Sequence, residues 1–253
     1  MGHLLMIHGV GCDGSVWDRM RPDFEAAGWA CHAPTLFPDR RVKENPPPNL
    51  PELGLADYID AMSAEAGRIA AETGEKPAVI GHSMGGLIAQ ALAARGEVAK
   101  AVFLTPAQPK DCAAIGLPVV WTFLNVILSQ DRTKAHKVWK TGFRWGVLNC
   151  VPKERHEEIY AGALYDSGRV YGDITDGIEI DETQVKVPTL TIAAAKDRAT
   201  LAKGVRKVAA KYARSPVPGD FIEYPGNAHW IVDEPGTDKV TADIVAWLGK
   251  ADT

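Results

Sequence analysis

Short candidate strands alternate along this chain with longer stretches of helical period, and that alternation most limits how it can fold. Apolar runs of a few residues, separated by helical stretches, are the mark of a parallel sheet covered by helices. The strands are expected at 3–7 (HLLMI), 29–33, 77–81 (PAVIG), 101–104 (AVFL), 188–194 (PTLTIAA) and 220–224. Leu55, Ile59, Met62, Ala66 and Ile69 step by four, three, four and three, which is one face of a helix stopped by Gly74. Ser15 is placed to cap a helix carrying Trp17, Met20 and Phe24. The Ala-rich stretch 84–95 reads as a helix, Leu201, Val205, Val208 and Tyr212 mark another, and Val240, Ile244 and Leu248 a last one. Between them, 39–53 carries four prolines and reads as an irregular surface loop, because proline brings no N–H to a helix or ladder.

Residues 107–185 break the rhythm. They hold many of the aromatic side chains, with helical stretches but no β–α alternation. So long an insertion without strands is uncommon inside an alternating unit. The expected organisation is therefore a core from 1–106 and 186–253, with 107–185 inserted in it as a helical cap.

Composition narrows the function classes. With 46% hydrophobic and 24% charged residues in 253, the chain is expected to be a globular protein with a sizeable core, which excludes disorder and fibrous repeats. A net charge of −4 with scattered Lys and Arg leaves no footprint for nucleic acid. The densest basic stretch, 203–214, has helical spacing and reads as one solvated face. No run of 18 apolar residues is present, so no membrane span is expected. The opening MGHLLMIHGVG lacks a basic n-region and a cleavage site, so no signal peptide is expected. Cys12, Cys31, Cys112 and Cys150 are far apart, form no zinc spacing and point to a reduced, cytoplasmic protein. No HxH or HExxH pair is present, so neither a metal nor a cofactor is expected.

One motif carries chemistry. Gly81-His82-Ser83-Met84-Gly85 falls between a strand and a helix, the context that a G-x-S-x-G nucleophile elbow requires. A serine hydroxyl is a weak nucleophile and must be held out to a base and a substrate. A sharp strand-to-helix turn does this at the cost of a strained serine backbone, and its flanking residues must be small. The helix that starts there favours a developing negative charge. His82 is expected to pack beneath the elbow, since adjacent side chains in a tight turn diverge.

On these residues the chain resembles the α/β-hydrolase superfamily of esterases and lipase-like proteins, over nearly its whole length. The resemblance implies a triad in the order nucleophile, acid, histidine. Asp197 follows a late strand and His229 follows the last one, in Pro-Gly-Asn-Ala-His-Trp. Ser83, Asp197 and His229 are therefore the expected catalytic set. The amide after the nucleophile, Met84, is one expected oxyanion donor. The second resembles the family's His-Gly turn, here His8-Gly9-Val10, and is assigned to Val10, with Gly9 and Gly11 allowing close approach and unusual φ. The 8–14 run has no Lys-Ser/Thr and no full GxGxxG, so it is not a phosphate loop. The chain starts almost directly on the strand before that turn, so a compact, mostly parallel six-stranded sheet is implied, flanked by helices in a three-layer fold.

The function that follows is hydrolysis of a small or apolar acyl ester through an acyl-enzyme. Two alternatives belong to other classes. Cofactor-free lyases of the hydroxynitrile lyase type share this size and sheet, but resemble one another in a lysine after the histidine and a threonine in the turn. Trp230 and Gly9 stand there instead. A non-catalytic small-molecule receptor on the same fold is the other. Trp121, Trp145 and Trp230 are candidates to line the substrate pocket.

Overall fold

Central strands that are buried on both faces draw mainly apolar side chains, and the sheet is built that way, with His82, Thr189 and Thr191 as buried polar exceptions. Leu4–Ile7, Val79–Ile80, Val102–Leu104 and Leu190 with Ile192 are buried. The computed structural model describes residues 2–129 and 131–250; positions 1, 130 and 251–253, which the sequence assigns to core and insertion, lie outside the described residues. In chain order the elements are β1 (Gly2–Ile7), α1 (Arg21–Ala26), β2 (Trp29–His32), α2 (Leu55–Thr73), β3 (Ala78–His82), α3 (Met84–Ala94) and β4 (Ala101–Leu104). Then come α4 (Leu117–Thr122), α5 (Leu124–Ser129), β5 (Ala135–His136), α6 (Lys140–Gly142), α7 (His156–Gly162), β6 (Asp166–Ser167) and α8 (Gly168–Asp176). The chain closes with β7 (Thr189–Ala194), α9 (Ala202–Tyr212), β8 (Asp220–Tyr224) and α10 (Thr237–Leu248). No helix among the described residues is long and apolar enough to cross a membrane.

Six strands form one sheet in the order β2-β1-β3-β4-β7-β8, and all five pairings are parallel. Strand alternation sends successive side chains to opposite faces. Leu4, Met6, Ile80, Val102, Leu104 and Ile192 pack with Trp17, Phe24, Val240 and Ile244 on one face. Leu5, Ile7, Val79 and Phe103 pack with the inner stripes of α2 and α3 on the other. The register pairs Ile7 with Gly81 and His82 with Leu104. The loops after β1, β3 and β4 therefore leave the carboxyl edge of the sheet at one level, where sites of open α/β sheets form.

The segment between β4 and β7 adds no strand to this sheet. It is largely helical, but it also contains the short antiparallel pair β5–β6, which the sequence reading lacked. Its apolar residues do not form a separate core. Val126, Phe143 and Tyr171 join one sheet face, and Val170, Ile180 and Val185 join the other. It also supports the sheet helices: the Leu55 amide at the start of α2 donates to Asp173 of α8 at 2.9 Å.

Three local expectations are corrected. Ser15 is not a cap: the Asp13 carboxylate accepts from the Ser15 amide and starts a 3-10 turn, Gly14–Trp17, while α1 begins only at Arg21. The loop over 39–53 includes one 3-10 turn, Leu50–Glu52. The basic face of α9 is solvated except at Lys211, which is buried between Asp111 at 2.6 Å and Glu182 at 3.0 Å. Lys211 follows Val208 by one turn and so lies toward the packed side of the helix.

Candidate active site

The turn after β3 makes the elbow. Ser83 has φ 57° and ψ −120°, a conformation that costs a non-glycine residue about 1–3 kcal/mol and persists only where the surroundings impose it. They do so through backbone. The Ser83 amide donates to the Leu104 carbonyl at 3.1 Å, and the Ser83 carbonyl accepts from Gly86 at 2.9 Å and Ala107 at 2.8 Å. A Cβ on Gly81 would lie 2.0 Å from the Gly85 carbonyl oxygen, and one on Gly85 would lie 2.1 Å from that of Ile7. Only glycine lets β3, the turn and α3 come this close.

Three expected side chains meet there, all buried. His229 Nε2 lies 3.1 Å from Ser83 Oγ, and its Nδ1 lies 2.8 Å from Asp197 Oδ2. A carboxylate only accepts, so Nδ1 carries the proton and Nε2 is left to accept from the serine. Asp197 is fixed in turn: its Oδ1 accepts from the Ala199 and Thr200 amides at 2.7 and 2.8 Å. The Thr200 hydroxyl lies 2.8 Å from Asp197 Oδ2 and 3.0 Å from the Thr105 carbonyl oxygen, with one proton for the two acceptors.

His82 packs beneath the elbow as expected. Its Nε2 donates to the His229 carbonyl at 2.8 Å, and its ring lies 4.9 Å from that of His229. Burial, and then the neighbouring His229 charge, push its pKa down to about 3, so it stays neutral. The loop carrying His229 hangs on Glu234, whose Oε1 accepts from the Ala228 amide at 2.6 Å and from Asn227 at 3.0 Å. Burial pushes the Glu234 carboxyl up.

Val10 and Met84 both line the cavity beside Ser83. Neither amide has a hydrogen-bond partner among the described residues. Gly9 is what admits the turn: a Cβ there would lie 2.9 Å from Ser83 Cβ. The adjacent Gly11 has φ 69°.

Two cavities share Ser83. One, of about 160 Å³, runs along Ala107, Ala114, Val119, Phe123 and Val126. The other, of about 20 Å³, lies between His229, Phe143, Val147 and Trp230. Phe143 and Val147 bound a π-helical turn, a form frequent at functional sites. Of the three tryptophans named from sequence, Trp230 lines the smaller cavity, while Trp121 and Trp145 line neither and are 44% and 38% exposed. The sequence reading also missed Thr200, Glu234 and the groups that hold the His8 turn. Of these, only Thr200 left a trace, as a hydroxyl residue in the first turn after Asp197.

The arrangement places His229 Nε2 where it can take a proton from Ser83 Oγ. The sequence model of the alpha/beta hydrolase family matches residues 4–242. No curated protein matches the chain. Similar solved structures include a monoacylglycerol lipase from Paleococcus ferrophilus, with TM-score 0.70, 19% identity and coverage of 98% of this chain and 93% of that one. A pyrethroid hydrolase from Sphingobium faniae aligns with TM-score 0.68 and 18% identity over 97% and 96% of the two chains. A methylesterase from Arabidopsis aligns with TM-score 0.70 and 16% identity over 98% and 99%. At such identities the structural likeness speaks for the fold, and with the sequence model spanning nearly the whole length, the chain belongs to the alpha/beta hydrolase family.

Proposed function

We propose that this hydrolase cleaves a carboxylic ester with a small or apolar acyl group, through an acyl-enzyme on Ser83. The observation that carries the reading is the hydrogen-bonded chain from Ser83 Oγ through His229 to Asp197, at 3.1 and 2.8 Å, ending at a strained serine. The ester-cleaving names of its structural neighbours support the reaction class.

The steps follow from the chain. Ser83 Oγ attacks the carbonyl carbon as its proton passes to His229 Nε2. The carbonyl electron pair moves onto oxygen, and the Val10 and Met84 amides meet that charge; one such donor is typically worth about 2.7–4 kcal/mol. Collapse breaks the ester C–O bond, and the departing oxygen takes the proton from Nε2 and leaves as the alcohol. Water then gives a proton to His229, attacks the acyl carbon and releases the acid as the proton returns to Ser83. Asp197 holds the imidazole in the required tautomer and stabilises its cation throughout. The unequal cavities support an ester with one longer apolar arm and one short arm. In this reading 107–185 acts as the cap that walls the larger cavity, and the four unpaired cysteines support a reducing, cytoplasmic setting.

The test is turnover of p-nitrophenyl esters of graded acyl length, beside lactones and thioesters. Wild-type protein is expected to cleave esters with a clear chain-length preference, and Ser83→Ala to lower kcat by about 10⁶-fold. Tight ligand binding that survives Ser83→Ala, with no ester cleaved by wild type, would establish the receptor alternative instead.

A further inference from the structure

We infer that Arg41 and Asp166 are positioning residues for the second oxyanion donor: a buried ion pair, joining two distant parts of the chain, that sets the turn carrying the Val10 amide. The catalytic consequence rests on the hydrolase reading above; the setting of the turn rests on geometry alone.

Both side chains are fully buried. Arg41 Nε and Nη2 donate to the two Asp166 oxygens at 2.6 and 2.9 Å, a bidentate pair. Their remaining bonds go largely to the turn. Asp166 Oδ2 accepts from the Gly11 amide at 2.5 Å, next in sequence to Val10. Arg41 Nη2 also donates to the Cys12 carbonyl at 2.8 Å. On the other side of Val10, His8 Nδ1 donates to the Gly9 carbonyl at 2.9 Å. His8 Nε2 accepts from the Leu36 amide at 3.1 Å and faces Arg41 Nη1 at 3.3 Å. Residues 8, 9, 11 and 12 are thus each tied down, and Val10 between them lines the cavity with its amide unpaired among the described residues.

The pair's placement links this donor to the segment between β4 and β7. Asp166 lies on β6, the neighbouring Leu164 amide donates to the Gly11 carbonyl at 2.8 Å, and Asp166 Oδ1 accepts from Tyr58 of α2 at 2.7 Å. The turn has its observed shape only when that segment is docked. Stability alone is a poor reason for such a pair, because desolvation offsets much of the attraction and apolar residues of similar volume often serve as well. Geometry is the better reason, since an oxyanion donor must sit about 2.7–3.1 Å from the developing charge.

The test compares wild type with Asp166→Asn and with the charge-free double variant Arg41→Met/Asp166→Leu, which keeps the site foldable if the single variant does not fold. A misplacement of about 1 Å costs up to about 10²-fold, so kcat on a p-nitrophenyl ester is expected to fall about 10- to 100-fold with KM within about threefold. Binding of an alkylboronic acid, whose serine adduct carries the tetrahedral charge, is expected to weaken by the same factor. Hydrogen exchange is expected to quicken over 8–12 and to stay unchanged over 79–86. A folded double variant with wild-type kcat and wild-type exchange over 8–12 overturns the inference, as does a loss of kcat with exchange raised throughout the molecule. If wild type cleaves no ester while exchange over 8–12 responds as expected, the hydrolase reading falls and the setting of the turn stands.

Discussion

The turns after β3 and β1 leave neighbouring parallel strands at one level and meet at Ser83, yet they are held by different means. The first is fixed by backbone, its own and that of β1, β4 and the loop after β4, and by glycines within five residues of one another. The second is fixed by side chains from far away, with Arg41 and Asp166 separated by 125 residues and Asp166 and Gly11 by 155. A turn built from close backbone approach tolerates almost no substitution and is written locally. A turn built from remote side chains exists only once the rest of the fold has assembled, and its shape can change without loss of the sheet.

That contrast can be broken most severely at the elbow. Gly81→Ala places a methyl group 2.0 Å from the Gly85 carbonyl oxygen, and neither backbone can yield without moving β3 or α3. This variant is expected to give no soluble, cooperatively melting protein, whereas Asp166→Asn melts cooperatively; thermal unfolding followed by circular dichroism decides. If Gly81→Ala melts like wild type, the elbow is not held by close approach.

Acid should strike both turns at once. His8 and His82 are each held neutral, with pKa values pushed down to about 3 by burial first and then by Arg41 and His229 respectively. The unfolded chain takes up these protons near pH 6.5 and the folded chain does not. Stability is therefore full above that pH and is lost as pH falls from 6.5 toward 3, by about 1.4 kcal/mol per pH unit for each histidine. Urea unfolding between pH 7.5 and 5 should show this slope, and His82→Gln should reduce it by one histidine's share. A flat profile would mean that both imidazoles are solvated.

The smallest expected effect lies at the acid. Thr200→Val removes the hydroxyl shared by Asp197 and the Thr105 carbonyl. The loss of about 1 kcal/mol for one hydrogen bond corresponds to a fall of about fivefold in kcat/KM, with Tm nearly unchanged. A loss as large as that of Asp166→Asn would mean that the acid depends on a remote brace as much as the turn does.

The same division explains what could be read from sequence. The apolar runs located the central strands, because those are buried on both faces, and 101–104 coincides with β4; 220–224 coincides with β8, an edge strand whose first two residues are exposed. The elbow was legible because its requirements lie within a few residues. Asp197 and His229 became legible through the family's chain order, and the structure brings both to Ser83. Asp166 was not legible: an aspartate beside a serine in an aromatic-rich stretch shows no sign of an arginine 125 residues earlier. The short pair β5–β6 has only two residues in each strand, too few for alternation to register. Trp121 misled because aromatic character does not give direction; Val119 and Phe123, on either side of it, line the cavity instead.

The central claim is that the Ser83 oxygen is activated by His229. Reaction of the folded protein with a fluorophosphonate probe, followed by peptide mass mapping, tests it most directly. The account predicts a single adduct on Ser83 in wild type, formed far more slowly in His229→Ala and absent in Ser83→Ala. Ester turnover with no adduct on Ser83, or an adduct formed equally fast without the imidazole, would contradict it.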